Sequence, residues 1–218
     1  MLSVVIPTLN AANGLAHCLA AVAQADEIIV VDGGSSDDSV AIATLAGARV
    51  INSPASRGGQ LHAGASAAAG EWLLFLHADT MLAPNWREAV AAHVAAHPQS
   101  AACFTFRLDE PAWQARLVEA AVAVRVRLLG LPYGDQGLLI SRAFYDRLGG
   151  FRSLALMEDV DLIRRIGRRR LRLLPAIALT SADRWRRDGW LRRSARNLAC
   201  LLAYRLGASP RQLARIYR

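Results

Sequence analysis

Short apolar runs alternate with alanine-rich amphipathic stretches through the first half of the chain. Apolar runs rich in β-branched residues predict buried strands, and apolar residues three and four positions apart predict helices. We therefore predict strands at residues 2–6, 27–31, 49–52, 72–76 and 101–107. The helices predicted between them lie at residues 11–24, 38–46, 58–70 and 84–97. Such alternation is typical of an α/β protein with a parallel sheet covered by helices on both faces.

The second half departs from this alternation. Its predicted elements are a helix at 111–130, a Gly- and Pro-rich loop at 131–137, a strand at 138–141, short helices ending at 149–150 and beginning near 157–159, and strand-like runs at 171–174 and 177–180. From residue 189 the pattern predicts two basic helices separated near 207–210.

Length and composition exclude several classes of protein. The 218 residues, 53% of them hydrophobic, suit one domain or one domain with an appendage, and a chain of this size needs no disulfides or metal in order to fold. The three cysteines are far apart and no apolar run reaches the roughly 18 residues of a membrane span. The N-terminus lacks the basic region of a signal peptide, so we expect a cytoplasmic protein.

The charge is divided unevenly along the chain. Residues 1–110 hold four arginines against ten acids, whereas residues 164–218 hold sixteen arginines against two acids. The net charge of +8 therefore comes from the last 55 residues, and every basic residue is arginine. The acidic N-terminal half is compatible with a metal site, and the basic C-terminal segment is compatible with binding to phosphates or to an anionic surface.

Polar residues follow the ends of the predicted parallel strands, where ligands of such sheets bind. These residues are Pro7, Thr8, Asp32, Arg57 and Asp79. A carboxylate such as Asp79 can hold Mg²⁺ or Mn²⁺ together with substrate phosphates, although a turn or helix cap explains a single Asp equally well. Phosphate-loop, GxGxxG, HExxH, CxxC and GxSxG motifs are absent from the sequence.

Two further groups of residues have both a structural and a chemical explanation. Glu158, Asp159 and Asp161 open a predicted helix, where the helix dipole favours acids, but one of them could also act as a general base. Arg184 and Trp185 offer an anion clamp beside an aromatic face, or else a solvated basic turn.

Five motifs, taken in order, resemble those of family 2 glycosyltransferases with the GT-A fold. They are Ser-Val-Val-Ile-Pro-Thr-Leu-Asn from residue 3, Ile-Ile-Val-Val-Asp-Gly-Gly-Ser-Ser-Asp from 28, Leu-Phe-Leu-His-Ala-Asp from 74, Gly-Gly-Phe from 149 and Glu-Asp-Val-Asp-Leu from 158. The resemblance covers residues 2–175 and is nearest to the short, soluble bacterial branch of the family. It implies a Rossmann-like, mostly parallel sheet with helices on both faces, plus a basic helical C-terminal segment.

The resemblance also implies an activity and a site. The activity is an inverting, metal-assisted transfer of a sugar from a nucleoside-diphosphate donor, UDP favoured, to an acceptor hydroxyl or similar nucleophile. The implied donor-site residues are Pro7, Thr8, Asp32, Arg57, Arg184 and Trp185. Asp79 would bind Mn²⁺ or Mg²⁺ on the diphosphate, Asp159 would be the base supported by Glu158, and Asp135 and Gln136 would belong to an acceptor loop.

The sequence departs from the family pattern at three positions. His77 stands where the first acid of the D-x-D motif is expected, so metal binding would rest on the carboxylate of Asp79 alone or on that carboxylate with the imidazole as a second ligand. Ala11 stands where an acid usually follows the asparagine of the first loop. Ser181 replaces the glutamine of a Q-x-x-R-W motif, which argues against processive polymer synthesis.

The resemblance divides the chain into a GT-A catalytic domain at residues 1–180 and a basic helical extension at 181–218 packed on it. Within the domain, residues 1–110 would bind the nucleotide sugar and residues 111–180 would hold the acceptor and catalytic half.

Two alternatives to this enzyme remain open. One is a nucleotide-sugar-binding protein that has lost its chemistry, with His77 as the marker. The other is a peripheral protein that contacts an anionic membrane through its basic tail, where Trp and Leu residues stand among the arginines. These are Trp185, Trp190, Leu191, Leu198, Leu201 and Leu202, and packing onto the domain explains them as well. Nucleic-acid binding is not expected, because no recognised module accompanies the charge.

Overall fold

The computed structural model describes residues 1–154 and 156–217. The strands are β1 (Leu2–Thr8), β2 (Glu27–Asp32), β3 (Arg49–Asn52), β4 (Trp72–Phe75), β5 (Thr80–Leu82), β6 (Ala101–Leu108), β7 (Leu138–Ser141) and β8 (Leu171–Thr180). The helices are α1 (Ala12–Ala21), α2 (Ser39–Leu45), α3 (Arg57–Ala67), α4 (Trp86–Ala96), α5 (Trp113–Leu129), α6 (Arg142–Arg147), α7 (Glu158–Ile166), α8 (Asp183–Asp188), α9 (Trp190–Arg205) and α10 (Pro210–Tyr217).

The strands form one sheet in the order β3-β2-β1-β4-β7-β6-β8-β5. Strands β3, β2, β1 and β4 are parallel, so their carboxyl ends meet at one edge of the sheet. Strand β7 runs antiparallel to both β4 and β6, and β8 returns parallel to β6. Strands β1 to β4 come from the alternating part of the sequence, whereas the mixed half combines β5 and β6 from that part with β7 and β8 from the second half of the chain.

Helices cover both faces of the sheet because successive strand residues point to opposite sides. Val4 and Leu74 belong to a core cluster with residues of α1 and α4. Val5 and Leu73 belong to a second cluster with residues of α3, α6 and α7. Both clusters consist mainly of buried aliphatic and aromatic side chains, as expected for strands that are apolar throughout. The predicted α/β architecture is confirmed.

Strand β8 is continuous across the two runs predicted at its position. Its pairing with β6 shifts register between Cys103 and Thr105, whose partners are Leu173 and Ile177. Pro175 lies inside this irregular stretch, and proline has no N–H to donate to a sheet ladder. The bulge therefore lets a proline stay within the strand.

The three-residue strand β5 was not predicted. It pairs with β8 in antiparallel register, with Thr80 opposite Thr180. This pairing joins the first half of the chain to the second half at the edge of the sheet.

Helices α9 and α10 pack next to the start of α7. Cys200 and Leu201 of α9 and Leu213 of α10 are buried against Met157 and Val160. Within residues 1–154 and 156–217, no helix combines the length and the apolarity that crossing a bilayer requires.

Candidate active site

A cavity beyond the end of β4 collects sequence-predicted residues from distant parts of the chain. Arg57, His77 and Asp79 come from the first half, and Asp135, Glu158 and Asp159 from the second. Arg184 and Trp185 of α8 also line the cavity. The predicted residues Pro7, Thr8, Asp32 and Gln136 do not line this cavity.

The first wall of the cavity is the segment that leaves β4. His77 and Asp79 follow β4, and the chain turns into β5 directly after Asp79. Ser181, next to the end of β8, donates its backbone N–H to the carbonyl oxygen of Asp79 at 3.2 Å. A Cβ atom on Gly14 of α1 would lie 3.1 Å from the Cα atom of Asp79. Rigid neighbours on two sides therefore hold this acid in place.

Two backbone amides hold the carboxylate of Asp159. Gly134 donates its N–H to Oδ2 at 2.8 Å, and Val160 donates to Oδ1 at 2.7 Å. Each oxygen keeps an acceptor site for a further partner, because a carboxylate has about four such sites. Residue 134 has to be glycine, since a Cβ atom there would lie 2.4 Å from Nε2 of His77.

The N-terminus of α7 positions both acids of the Glu-Asp pair. Met157 precedes them in the left-handed conformation, with φ 67° and ψ 22°. A non-glycine residue holds this conformation only when its surroundings fix it, and Met157 is buried against α9 and α10. Oε1 of the buried Glu158 lies 3.6 Å from Nη1 of Arg57. The helix dipole favours both acids, so their structural and chemical explanations are compatible.

The predicted acceptor loop divides between the cavity and the core. Asp135 lines the cavity, and the hydroxyl of Thr180 donates to its carbonyl oxygen at 3.1 Å. The side chain of Gln136 is buried and donates to the carbonyl oxygen of Phe104 at 3.0 Å. Of the two loop residues, only Asp135 is therefore placed to meet a ligand in the cavity.

Burial and neighbouring charges shift pKa values in the cavity. Burial and the charge of Arg57 lower the pKa of His77 to about 3, against the effect of Asp159, so the imidazole is neutral. Burial, helped by nearby carboxylates, raises the pKa of Asp135 to about 6. Burial and the charge of Asp159 raise the pKa of Glu158 to about 7, while Arg57 opposes this rise.

The raised pKa of Glu158 predicts how stability depends on pH. Between its ordinary value of 4.5 and about 7, the folded chain binds more protons at Glu158 than the unfolded chain does. The contribution of Glu158 to the free energy of unfolding therefore falls as pH rises through this window. The Glu158→Gln variant lacks this titration. Its free energy of unfolding, measured relative to that of the wild type, should therefore increase between pH 4.5 and 7. The rise should be on the order of 3 kcal/mol, since one pKa unit corresponds to about 1.4 kcal/mol.

Urea unfolding at a series of pH values measures this difference. Glu88→Gln, which changes an exposed glutamate on α4, is the matched control for removing one acid. A stability difference for Glu158→Gln that stays constant across the window would contradict the raised pKa.

The cavity fits a divalent cation that is only partly held by protein. Oδ1 of Asp79 and Oδ1 of Asp135 are buried without a hydrogen-bond partner in the described part of the chain. Carboxylate oxygens are preferred ligands of Mg²⁺ and Mn²⁺, and the neutral imidazole of His77 can also ligate. In the described ranges, no three His, Cys, Asp or Glu side chains are grouped so that they could hold an ion by themselves. Ligands from a bound phosphate would have to complete the shell.

Asp32 lies at the carboxyl edge of the sheet but is occupied by protein donors. Its Oδ2 accepts from the backbone of Gly34 and Ser35 at 2.8 Å, and its Oδ1 accepts from the hydroxyls of Ser35 and Thr8. Burial alone would raise the pKa of Asp32, but these hydrogen bonds outweigh it and keep the pKa below its ordinary value. A ligand that binds this carboxylate would have to replace one of these bonds.

Sequence reasoning missed the part of the cavity that α9 supplies. Arg193 and Asn197 line it beside Trp185. The guanidinium of Arg193 lies 5.9 Å from the centre of a Trp185 ring, and Nη1 donates to Asp188 at 2.9 Å. The sequence predicts a basic helix here, but its spacing does not indicate which side faces the cavity.

Solved structures share this fold. S. aureus TarS 1-349, solved in complex with UDP, superposes with a TM-score of 0.64 at 17% identity, over 99% of this chain and 69% of that chain. Glucosyl-3-phosphoglycerate synthase from Mycobacterium tuberculosis, solved in complex with Mn²⁺, UDP and glucosyl-3-phosphoglycerate, gives a TM-score of 0.59 at 21% identity, over 83% of this chain and 70% of that chain. At these identities the likeness concerns the fold alone.

Sequence relatives match less than half of the chain. A "PGL/p-HBAD biosynthesis glycosyltransferase" from Mycobacterium bovis is 37% identical over 112 residues, which are 46% of this chain and 44% of the relative. A glycosyltransferase from Rickettsia felis, described as uncharacterized, is 36% identical over 100 residues, which are 45% of this chain and 35% of the relative. The chain thus spans less than half the length of these relatives.

The model of the family described as Glycosyl transferase family 2 matches residues 3–121, more than half of the chain. This match confirms the resemblance found in the motifs: the chain belongs to glycosyl transferase family 2.

Proposed function

We propose that the chain transfers a sugar from a nucleoside-diphosphate sugar, with UDP as the nucleotide, to an acceptor hydroxyl with inversion at the anomeric carbon. One observation carries this proposal. The same cavity brings together Asp79, Asp135 and Asp159 from three separate segments, along with Arg57 and Arg184. Acids can hold a cation and accept a proton, and arginines can bind phosphate.

The ligands of proteins that share the fold support a UDP-sugar as the donor. TarS was solved with UDP and with UDP-GlcNAc, and glucosyl-3-phosphoglycerate synthase with Mn²⁺ and UDP-glucose. By their place in the family motifs, Pro7, Thr8 and Asp32 would line the nucleotide end of the donor site. Arg57, at the N-terminus of α3, would contact the nucleotide from the cavity side.

In the proposed reaction, Asp159 is the general base. The acceptor oxygen attacks the anomeric carbon from the face opposite the diphosphate, and the bond from that carbon to the diphosphate oxygen breaks. The acceptor proton passes to Asp159, whose two amide partners fix the direction of its free acceptor sites. General-base assistance of this kind contributes typically ~10²–10⁴ in rate. Glu158, held beside Arg57, supports the charge balance of the pair.

Asp79, His77 and Arg184 would stabilise the leaving group. Asp79 and His77 would hold Mn²⁺ or Mg²⁺, which as a Lewis acid offsets the negative charge that develops on the diphosphate. Arg184, whose Nη2 lies 3.8 Å from Oδ2 of Asp79, would contribute its positive charge to the same phosphates. Trp185 and Asp135 would border the donor and acceptor, respectively.

The test of this proposal is thermal unfolding of the purified chain with UDP, GDP and ADP, each with and without Mn²⁺. UDP with Mn²⁺ should raise the stability by about 2.7 kcal/mol at a hundredfold excess over Kd, because it binds only the folded chain. Release of UDP from a panel of UDP-sugars then measures the chemistry. An unchanged melting temperature with every nucleotide and metal would refute the proposed donor.

A further inference from the structure

Helices α5 and α9 each expose a stripe of apolar side chains to solvent. On α5, Trp113, Leu117, Val124 and Leu128 are exposed, with Trp113 68% accessible. On and directly after α9, the exposed residues are Leu191, Leu198, Leu202 and Leu206, with Leu191 88% accessible. With Leu129 at the end of α5, nine of the fifteen exposed large hydrophobic residues in the described ranges lie on these two segments. Single exposed leucines are normal on protein surfaces, but a contiguous exposed apolar patch marks an interaction site, so the concentration needs an explanation.

The spacing shows that each stripe is a continuous helix face. The exposed residues stand at positions 0, 4, 11 and 15 on α5 and at 0, 7, 11 and 15 on α9. Ala120 and Ala195 supply the missing positions, so both helices share the order 0, 4, 7, 11 and 15. Residues at such spacing fall on one side of a helix with 3.6 residues per turn.

The opposite side of each helix is already used for packing. Ala115 and Val122 of α5 are buried in a cluster with Trp185. Cys200 and Leu201 of α9 are buried against α7. Since Trp190, the first residue of α9, also packs in the Trp185 cluster, the two helices meet around α8. The exposed stripes are therefore additional to the core contacts of these helices.

We propose that the two stripes form a surface that docks on an anionic lipid bilayer. The charges beside them favour this partner, because Arg127, Arg192 and Arg205 are exposed. Leucine and tryptophan facing out among arginines are typical of helices that lie in a membrane interface. A second copy of the chain is disfavoured as occupant, because it would bring two such basic surfaces together.

The same helix that carries one stripe also lines the cavity. Arg193 and Asn197 contribute to the cavity from another side of α9. Docking would therefore hold the cavity next to the bilayer surface, where an acceptor attached to a lipid would be presented. This last step rests on the proposed function, whereas the docking itself does not.

Sedimentation of the full chain with vesicles tests the docking. The chain should sediment with vesicles of phosphatidylcholine and phosphatidylglycerol but not with phosphatidylcholine alone. The double variants L198Q/L202Q and L117Q/L128Q should each lower the partition coefficient by about tenfold per leucine. R192Q/R205Q should lower it by about fivefold per arginine on the anionic vesicles.

L45Q is the matched control, because Leu45 on α2 is also 88% exposed but lies outside both stripes, and it should sediment like the wild type. Binding of UDP, measured separately by thermal shift, distinguishes a failure of docking from a failure of the proposed function. The proposal is overturned if the wild type stays in solution with anionic vesicles, or if either leucine variant sediments like the wild type. It is equally overturned if analytical ultracentrifugation finds a dimer that the leucine variants dissociate.

Discussion

Replacing Asp159 with asparagine is expected to abolish sugar transfer while UDP binding persists. Asn cannot take up the acceptor proton, so the loss should be at least about 10²–10⁴ in turnover. The amide is close in size to the carboxylate, and its Oδ1 can still accept one of the two bonds from Gly134 and Val160. The nucleotide would be bound by other residues, so its thermal shift should stay close to that of the wild type.

Turnover is measured as the release of UDP from the donor, and binding as the shift in melting temperature with UDP and Mn²⁺. Asp38→Asn is the matched control, since Asp38 is exposed and makes no capping hydrogen bond at the start of α2. If Asp159→Asn loses binding and turnover to the same extent, Asp159 is a structural residue of the loop at Gly134. Unchanged turnover would exclude it as the base.

Most of the fold could be predicted because strand and helix periodicity are local properties of the sequence. The strand at 2–6 is apolar at every position, and neighbouring residues such as Val4 and Val5 enter opposite core clusters. This is the pattern of a strand buried on both faces. Strand β5 could not be predicted in this way, since it has three residues and its partner strand begins about ninety residues later.

The motifs predicted the candidate site in part, since Pro7, Thr8 and Asp32 also belong to motifs but lie outside the cavity. Asp79 and Asp159 belong to such motifs, and both line the cavity. The contribution of Gly134 depends on its backbone N–H and on the room it leaves for His77, neither of which the residue type reveals. Asn197 reaches the cavity only because α9 folds back on α7, a tertiary contact that no local pattern encodes.

Two acids of the cavity each lie beside an arginine. Asp79 pairs with Arg184 at 3.8 Å, and Glu158 with Arg57 at 3.6 Å. Each pair is longer than a hydrogen bond, so the guanidinium groups lie near the acids without closing on them. A bound diphosphate and its cation could therefore enter between the partners and exchange these weak pairs for stronger charge-assisted contacts.

Replacing Asp79 with asparagine is therefore expected to remove the part of UDP binding that depends on metal. Asn keeps the shape of the side chain but loses the charge that would hold a divalent cation, while Oδ1 of Asp79 has no hydrogen-bond partner among the described residues. In the wild type, UDP with Mn²⁺ at a hundredfold excess over Kd should raise the melting temperature by about 5–10 °C. In Asp79→Asn the increment from Mn²⁺ should disappear, leaving only the smaller shift that UDP gives alone.

Each protein is compared with its own ligand-free melting temperature, because the substitution also breaks the contact with Arg184. His77→Gln measures the second ligand in the same assay: a reduced increment would assign the imidazole to the cation, and an unchanged one would leave Asp79 as its protein ligand. Asp38→Asn should keep the full increment, since it removes one acid outside the cavity. If Asp79→Asn also keeps the full increment, the cation is bound without this carboxylate, and the metal site proposed at the end of β4 is wrong.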